Sequence, residues 1–515
     1  MMLTSIILTI IMLALAFFGI WSFIHIFQLN SYKPKEQLKW YKKNFRRVTP
    51  CIIAFLLFVV LGILNAHFVF FVISGLALVV FMKPKKAKKP LVITPRVKRM
   101  LATCGVFYVA LALGIFLSEK LLVKSVFLGV GSGFTPLVIL LANLVNKPIE
   151  LSINRWYIND AKKILRSNNN LKIIGVTGSF GKTSVKFYLN TLLRAKYNTL
   201  MTPESYNTPL GIVRTIREKL KATHQIFICE MGARNVGDIK EICDIVHPHH
   251  GVITTVGEQH LETFKTIDNI KKTKFELADS LTDDAFLFVN GDCEAITTHN
   301  HKKLPNAVSY GLKEGNTYQA FDIRISERGS EFKVKTADGE VCEFTTKLIG
   351  EHNVINITGA LAVSHKMGIP LEKLRPQVRK LESVPHRLEL VNRGGIIIVD
   401  DAYNSNPSGA KAALDTIQYF DGMKILVTPG MVELGSMQDE LNYNFGKESA
   451  EACDFIVLVG EKQTKPIYDG VKDAGYDMNN CYVATDLNDA LKKVYSIQTD
   501  KKKIVLLEND LPDNY

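Results

Sequence analysis

The pattern with the clearest chemistry is a glycine-rich segment that ends in a lysine and a threonine. It reads Gly-Val-Thr-Gly-Ser-Phe-Gly-Lys-Thr over residues 175–183, after a predicted strand at 172–176 and before a predicted helix that includes 185–193. Small residues let backbone N–H groups surround a phosphate, while Lys182 can reach the terminal phosphates and Thr183 can hold Mg²⁺. The segment predicts a nucleotide site, although its first glycine stands one place early for the general Walker A pattern. A glycine-rich turn with a chance Lys-Thr pair is the alternative.

Other residues that could take part in this chemistry are less specific on their own. Glu230 follows an apolar run at 225–229, where a carboxylate beside a phosphate loop would be a hard oxygen ligand for Mg²⁺. A surface acid at a strand end is the alternative. His260, taken alone, is more often a polar loop residue than a ligand. The lysines near 271–274 would by themselves indicate a solvated helix face.

The elements around these residues alternate between short β-branched runs and helical stretches. Runs at 172–176, 225–229, 250–255 and 285–289 predict a parallel α/β sheet. Residues 320–347 alternate as in a small antiparallel insertion. A second series begins at 395, with predicted strands at 425–428, 455–459 and 504–507, and it indicates a second α/β domain.

The region before residue 150 is strongly apolar. Four blocks, at 3–29, 51–82, 100–117 and 121–145, are each long enough for a membrane helix, which needs about 20 residues. The block at 51–82 is too long for one span and short for two. We expect a hairpin near 65–67 because it returns both flanking basic segments to the cytoplasm. This predicts five spans, an outside N-terminus and a cytoplasmic chain after Lys147. A re-entrant or interfacial segment with an even number of crossings is the alternative.

The net charge of +13 comes from two short segments. Residues 29–49 hold seven basic residues against one acid, and residues 83–100 hold eight and none, so the rest of the chain is close to neutral. Both segments flank apolar blocks, as cytoplasmic membrane loops do, and this favours membrane lipid over nucleic acid as a partner. Eight cysteines without a CxxC pair, in 515 residues, argue against a disulfide scaffold or a zinc module.

Several further motifs follow the phosphate loop in a fixed order. They are Glu-Met-Gly-Ala at 230–233, Gly-Glu-Gln-His-Leu-Glu at 257–262, Thr-Lys-Phe-Glu at 273–276, Asn-Gly-Asp at 290–292, Gly-Glu-His-Asn at 350–353, His-Arg-Leu-Glu at 386–389, Asp-Asp-Ala-Tyr-Asn-Ser-Asn-Pro at 400–407 and Glu-Leu-Gly at 433–435. Taken together, the loop and these motifs resemble the Mur ligases, ATP-dependent amide-forming enzymes of peptidoglycan precursor synthesis. The resemblance is to the MurF branch, which adds D-alanyl-D-alanine, and it covers about residues 165–460.

The resemblance implies a role for each matching residue. It implies an ATP site at Gly178, Ser179, Phe180, Gly181, Lys182, Thr183, Ser184, Asn290, Arg387 and Asp401. It implies Mg²⁺ ligands at Thr183, Glu230, His260 and, if CO₂ carbamylates it, Lys274. The implied catalytic residues are Lys182, Lys274, His260 and Arg387, and the implied substrate-binding residues are Tyr403, Asn404 and Asn406. Lys274 is chosen over its neighbours because it stands fourteen residues after His260 and directly before Phe275-Glu276.

The apolar blocks and the resemblance together give the expected domain plan, and the resemblance implies the reaction. We expect a helical transmembrane region of about five helices at 1–147, a central P-loop ATPase domain with a parallel sheet at 148–384, and a C-terminal Rossmann-like α/β domain at 385–515. The expected function is that of a membrane-anchored, MurF-like ligase with ATP and Mg²⁺ as cofactors. It would activate a carboxylate of a cell-wall precursor as an acyl phosphate and couple it to an amino acid or dipeptide.

Two departures from the MurF pattern put the substrates in question. Membrane helices stand where these ligases have a domain for the UDP-sugar, so the acceptor could be nucleotide-linked or lipid-linked. Residues 507–512 replace a Lys-Gly-Ser-type end, and Asn442 replaces a common histidine, so the donor could differ from D-alanyl-D-alanine. A poly-γ-glutamate synthase-like ligase and a non-catalytic membrane ATP-binding regulator are the alternative functions.

Overall fold

The computed structural model describes residues 2–83, 90–403 and 405–510. Asn404, four lysines of the second basic segment and the last residues of the 507–512 segment lie outside the described residues. The chain forms two compact units that divide between Trp156 and Tyr157.

The N-terminal unit is built from helices around an apolar interior. Four of them are long and apolar enough to cross a membrane by length and composition, namely α1, α3, α5 and α7, while α4 and α6 are shorter apolar helices. The helices are α1 Met2–Leu29, α2 Pro34–Lys43, α3 Phe45–Ile63, α4 Phe68–Met82, α5 Pro95–Leu117, α6 Leu121–Gly133 and α7 Thr135–Arg166.

The helix bounds confirm one sequence expectation and correct another. The block at 51–82 does break near 65–67, since α3 ends before it and α4 begins after it. The block at 121–145 is not one helix, because the chain breaks at Phe134. Pro136, in the first turn of α7, has no N–H to continue the ladder of α6, and prolines of this kind favour helix starts. The number of membrane crossings stays a prediction.

Two further features of this unit were not predicted. The first basic segment contains α2, whose buried face includes Trp40 and Tyr41. Helix α7 continues to Arg166, well past the domain boundary expected at 147.

The second unit contains a nine-stranded sheet with strand order β2-β3-β1-β4-β5-β6-β7-β8-β9. Its strands are β1 Lys172–Thr177, β2 Thr199–Met201, β3 Ile226–Glu230, β4 His250–Ile253, β5 Leu287–Asn290, β6 Val308–Gly311, β7 Tyr318–Ser326, β8 Gly329–Thr336 and β9 Val341–Thr346. The helices of this part are α8 Lys182–Leu193, α9 Pro209–Lys219, α10 Asp238–Val246, α11 Leu261–Phe264, α12 Ile267–Asp279, α13 Glu294–Thr297, α14 Glu351–Lys366 and α15 Leu371–Arg379.

The centre of this sheet is parallel and its last strands are antiparallel. Strand β1 lies between β3 and β4, so the chain leaves it on one side and later returns on the other. Such a reversal of strand order is where parallel sheets bind ligands, outside the carboxyl ends of the strands. The antiparallel stretch predicted at 320–347 is not a separate insertion, because β7 pairs in parallel with β6 and extends the same sheet.

A six-stranded sheet follows, with strand order β10-β11-β15-β12-β13-β14. All neighbours are parallel except β10 and β11. Its elements are β10 Glu389–Arg393, β11 Ile396–Asp401, α16 Pro407–Ile417, β12 Met423–Thr428, α17 Gln438–Ala452, β13 Phe455–Val459, α18 Glu461–Asp473, β14 Cys481–Ala484, α19 Leu487–Ser496 and β15 Lys503–Glu508. The expected α/β class with two parallel-rich sheets is confirmed.

Candidate active site

The glycine-rich loop joins β1 to α8 at the point where strand order reverses. Gly178 and Gly181 have φ of 151° and 82°, in the range that favours glycine. A Cβ at Gly178 would stand 2.1 Å from Thr254 Oγ1, and one at Gly181 would stand 2.6 Å from Asn356 Oδ1. The loop therefore needs glycine at both positions. Ser179 anchors the loop to the segment after β4, because its hydroxyl donates to Gly257 O at 3.0 Å.

Lys182 and Thr183 begin helix α8 directly after this loop. Lys182 Nζ donates to Ser179 O at 3.0 Å, so its side chain folds back over the loop. The pKa of Lys182 is lowered to about 8, chiefly by burial and also by the nearby Arg387 cation, while the Glu230 carboxylate opposes the shift. The loop thus collects positive charge in a partly buried place, as a triphosphate site requires. Ser184 lies in the same first turn, and the Tyr188 hydroxyl one turn later donates to Asn353 Oδ1 at 2.7 Å.

Glu230 ends β3 beside the start of α8. Its Oε1 accepts hydrogen bonds from Thr183 Oγ1 at 3.1 Å and from Asn207 Nδ2 at 3.0 Å. Its Oε2 lies 2.9 Å from Lys186 Nζ in an ion pair whose two side chains are almost fully buried. Burial alone would raise the pKa of Glu230, but the cations of Lys186 and Lys182 hold it below the ordinary value.

Sequence reasoning missed Lys186 and Asn207. Lys186 stands one helical turn after Lys182, and this spacing was the only local signal, because side chains four residues apart share a helix face. Its Nζ also donates to Glu204 O. Asn207 lies in the loop before α9, so its contact with Glu230 depends on how β2 and β3 pair.

Lys274 lies on the inner face of α12 and is only 1% exposed. Burial lowers its pKa well below the ordinary value, and repulsion from Lys182 adds to the effect. It is therefore close enough to interact with the phosphate-loop lysine and favours the neutral amine, which is the form that reacts with CO₂. The solvated helix face suggested by local sequence is wrong for this lysine.

His260 lies in the turn before α11, with a left-handed φ of 52°. Its Nδ1 lies 2.5 Å from Glu433 Oε2, a residue that follows β12 in the other sheet. Burial lowers the pKa of His260, the Glu433 carboxylate opposes this shift, and more distant cations, among them Lys182, contribute to it. The structure thus brings His260 into the charged group around Lys182, and it adds Glu433, for which sequence reasoning gave no role.

Asn290 ends β5, two strands away from the phosphate loop. It is buried, and its Oδ1 accepts the backbone N–H of Asp292 at 3.0 Å. Asp292 in turn accepts the N–H groups of Leu312 and Lys313 after β6. These hydrogen bonds hold the turn at the carboxyl edge of the same sheet. Its predicted contact with adenine stays a prediction.

The second sheet contributes Arg387, Asp401 and Tyr403. The Arg387 guanidinium lies 4.2 Å from the centre of the Tyr403 ring. Burial raises the pKa of Asp401 well above the ordinary value, the Glu508 carboxyl adds to the rise, and Arg387 opposes it. Arg387 therefore interacts electrostatically with both Lys182 and Asp401. The phosphate loop also contacts α16 of the second sheet's part. A Cβ at Gly409 would stand 3.1 Å from the Phe180 ring.

Asn406 has a local structural task. Its Oδ1 accepts the Gly409 N–H at 3.1 Å and so caps the start of α16. Asn442, which the sequence singled out as a departure, is buried and bonds both the N–H and the C=O of Met431. The roles of Tyr403 and Asn406 toward a substrate stay predictions, and Asn404 lies outside the described residues.

The side chains around Glu230 suit a divalent magnesium ion. Mg²⁺ prefers oxygen ligands and keeps several waters, and the Thr183 hydroxyl and Glu230 carboxylate meet at 3.1 Å beside the phosphate loop. The buried cation of Lys186 shows that positive charge is accommodated against this carboxylate. The donor chemistry therefore fits the ion.

Comparison with known proteins agrees with this arrangement. A Mur ligase middle domain matches residues 176–364, and a Mur ligase glutamate ligase domain matches residues 386–508. The UDP-N-acetylmuramoyl-tripeptide--D-alanyl-D-alanine ligase of Bacillus subtilis is 31% identical over 299 residues, which are 56% of this chain and 63% of the relative. The chain thus spans less than two thirds of that relative. The ligase of the same name from Escherichia coli is 25% identical, over 62% of this chain and 73% of the relative.

Solved structures give the same result. MurF from Acinetobacter baumannii superposes with a TM-score of 0.62 at 25% identity, covering 70% of this chain and 78% of that one. MurF ligase from Thermotoga maritima in complex with ADP also gives 0.62 at 25% identity, covering 69% and 80%. Through its two consecutive α/β domains, the chain belongs to the Mur ligase family.

Proposed function

We propose that this chain is a membrane-anchored ATP-dependent ligase that forms an amide bond on a peptidoglycan precursor, with D-alanyl-D-alanine or a related amino compound as the donor. The observation that carries the proposal is the meeting of Lys182, Thr183 and Glu230 at the carboxyl edge of the first sheet. The similarity to ligases named for this reaction supports the choice of substrate class.

The reaction must overcome the low reactivity of a carboxylate toward amines. We propose that ATP transfers its γ-phosphoryl group to the acceptor carboxylate and that the amine then displaces phosphate from the acyl phosphate. Lys182 and Arg387 would stabilise the charge on the transferred group, since preorganised cations act strongly in a partly buried site. Docking of the two sheets around Phe180 and Gly409 would exclude water from the reactive intermediate.

We propose that Thr183, Glu230 and His260 hold the magnesium, together with Lys274 as a carbamate. Bound Mg²⁺ would neutralise charge on the phosphates and on the carboxylate. The protein's own part is to bury Lys274, which lowers the pKa of its amine and so favours the neutral form that adds to CO₂ and releases a proton. Carbamylation turns this buried lysine into an anion, which Lys182 and a metal would stabilise.

The N-terminal unit is relevant to the choice between a lipid-linked and a nucleotide-linked acceptor. Neither family match includes the first 175 residues, and four helices there are long and apolar enough to span a membrane. We propose the division 1–147, 148–384 and 385–515, with the first part as a multi-pass cell-membrane anchor that takes the place of a UDP-binding domain and leaves the catalytic domains in the cytoplasm. An enzyme held at the bilayer has direct access to a lipid-linked precursor, so we favour this acceptor over the nucleotide-linked one.

The test is release of ADP by the detergent-purified chain with D-alanyl-D-alanine as donor. The acceptors are a lipid-linked muramyl tripeptide, the UDP-linked form and a glutamate polymer, and mass spectrometry identifies the product. We expect release and a new amide with the lipid-linked tripeptide. Dependence on the glutamate polymer would instead support a poly-γ-glutamate synthase-like ligase. Release that no acceptor changes, without an amide product, would support a membrane ATP-binding regulator.

A further inference from the structure

Glu433 lies in the loop after β12 and contacts the turn that carries His260. Its Oε2 is 2.5 Å from His260 Nδ1, and its Oε1 is 3.6 Å from Arg234 Nη1. The main chains also meet, because the Glu262 N–H donates to Glu433 O at 3.1 Å. Both carboxylate oxygens are therefore engaged by residues of the first sheet.

The loop that carries Glu433 is held firmly on its own side. Asn442 on α17 accepts the Met431 N–H at 2.8 Å and donates to Met431 O at 2.9 Å. Glu433 itself has a left-handed φ of 64°, and Gly430 has one of 82°. A backbone conformation of this kind is costly for a glutamate and persists only where surrounding contacts fix it. Bonds within the second sheet's part thus hold the backbone that leads into Glu433.

We infer that Glu433 is a positioning residue that fixes His260 for metal–nucleotide binding, so that the metal site of the first sheet is completed by the second. A carboxylate at Nδ1 selects the imidazole tautomer that carries its proton there and leaves Nε2 as the free nitrogen. This inference rests on the proposed function, because it takes His260 as a metal ligand.

The His260–Glu433 pair would couple metal binding to the docking of the two sheets. His260 and Glu433 are 173 residues apart and belong to different sheets, so the pair forms only when the sheets are docked. Metal affinity would then report docking, and the phosphate loop would hold its metal–nucleotide complex most tightly in the docked form. Partners that orient a ligating histidine typically change metal affinity by about 10–100-fold.

The experiment measures Mn²⁺, as a paramagnetic substitute for Mg²⁺, bound to the full chain in detergent with a non-hydrolysable ATP analogue. Electron paramagnetic resonance of free Mn²⁺ gives the dissociation constant. We expect Glu433→Ala to weaken binding about 10-fold or more, and Glu433→Gln to weaken it less, because an amide oxygen still accepts the His260 hydrogen bond. Glu461→Gln is the matched control. It changes an exposed residue of α18, beside the second sheet, and should leave the Mn²⁺ dissociation constant unchanged.

Two further measurements distinguish a loss of His260 orientation from a general loss of structure. The variant pair His260→Ala and Glu433→Ala should be non-additive, with the double variant no weaker than His260→Ala alone. Electron spin-echo modulation should show a ¹⁴N coupling to Mn²⁺ in the wild type that Glu433→Ala weakens. Unchanged affinity in Glu433→Ala, or fully additive losses, would overturn the inference alone. A wild type that binds no Mn²⁺ with the nucleotide analogue would overturn the proposed function as well.

Discussion

At the carboxyl ends of their parallel strands, the two sheets of the second unit bury side chains of opposite type, basic at the first sheet and acidic at the second. At the first sheet, Lys182 and Lys186 lie near the Glu230 carboxylate, and the buried Lys274 interacts with Lys182. The second sheet places Asp401 and Glu508 in register on neighbouring strands. Both of these acids are buried, and burial raises the pKa of each.

This difference separates what each edge can bind. Buried lysines attract a triphosphate or a carboxylate, whereas a pair of buried acids offers neither of them a positive charge. Glu508 accepts hydrogen bonds from Ser405 and Thr428, and burial raises its pKa to about 7. We therefore expect phosphate chemistry at the first sheet and only supporting cations, such as Arg387, from the second.

The largest expected effect is the loss of nucleotide turnover in Lys182→Ala. Removal of one preorganised charge at the transferred group should lower turnover about 10²–10³-fold or more. Circular dichroism and detergent extraction from membranes should match the wild type. Lys462→Ala is the matched control. It removes an exposed lysine of α18 and should keep the turnover of the wild type. Turnover retained in Lys182→Ala would contradict the difference drawn between the two edges.

Lys186→Met should destabilise the first sheet strongly. The change leaves the Glu230 carboxylate buried without its ion-pair partner, which typically costs about 3–5 kcal/mol. Hydrogen-exchange mass spectrometry of peptides that cover β1 and β3 measures this loss. The double variant Lys186→Met with Glu230→Gln should recover most of it. If exchange in the single variant matches the wild type, the buried pair does not hold this edge together.

Glu508→Gln should remove part of the pH dependence of stability. Because the folded pKa is about 7 and the ordinary value is 4.5, the native state binds the proton more tightly. The stability that this group contributes is therefore fully present below about pH 4.5 and is lost as the pH rises through about 7, a change of about 3 kcal/mol. Asp401 shifts in the same direction and leaves a residual slope.

Calorimetric melting temperatures of the full chain at pH 5 and pH 7.5 test this expectation. Glu508→Gln should melt above the wild type at pH 7.5 and close to it at pH 5, while the exposed Glu461→Gln should follow the wild type at both. An identical pH slope in Glu508→Gln and the wild type would mean that the second edge does not bury a protonated acid.

The smallest effect concerns Tyr403, whose ring lies against Arg387. A cation–π contact at a half-exposed site contributes about 0.5–1 kcal/mol. Tyr403→Leu should therefore weaken binding of an ATP analogue only a few-fold, as measured by calorimetry. Tyr495→Leu changes another exposed tyrosine, on α19, and should not change the binding of the ATP analogue. A loss as large as that of Lys182→Ala would show that Tyr403 contacts the nucleotide directly.

The sequence predicted those parts of the site that depend on local order. The strand, loop and helix around 172–193 were predicted because glycines and a Lys-Thr pair directly follow an apolar run. The contact between Thr183 and Glu230 follows from β1 and β3 being parallel neighbours, whose carboxyl ends meet. Such contacts need only the pairing of β1 with β3, which brings both carboxyl ends to one edge of the sheet.

The remaining contacts depend on packing across many residues. Lys186 and Asn207 reach Glu230 only through the placement of α8 and the loop before α9, and Glu433 reaches His260 only through the docking of the two sheets. The break at Phe134 carried a signal in Pro136, but the continuous apolar run concealed it. Burial of Lys274 could not be predicted, because its neighbours on the same helix are exposed or partly exposed lysines.

The central claim is that the lysine-rich edge primes a carboxylate with phosphate. It is tested most directly with a lipid-linked muramyl tripeptide whose terminal carboxylate carries ¹⁸O at both oxygens, incubated with ATP, D-alanyl-D-alanine and the detergent-purified chain. An acyl phosphate predicts one ¹⁸O atom in each phosphate released, as measured by mass spectrometry. Phosphate that contains no label would contradict the account.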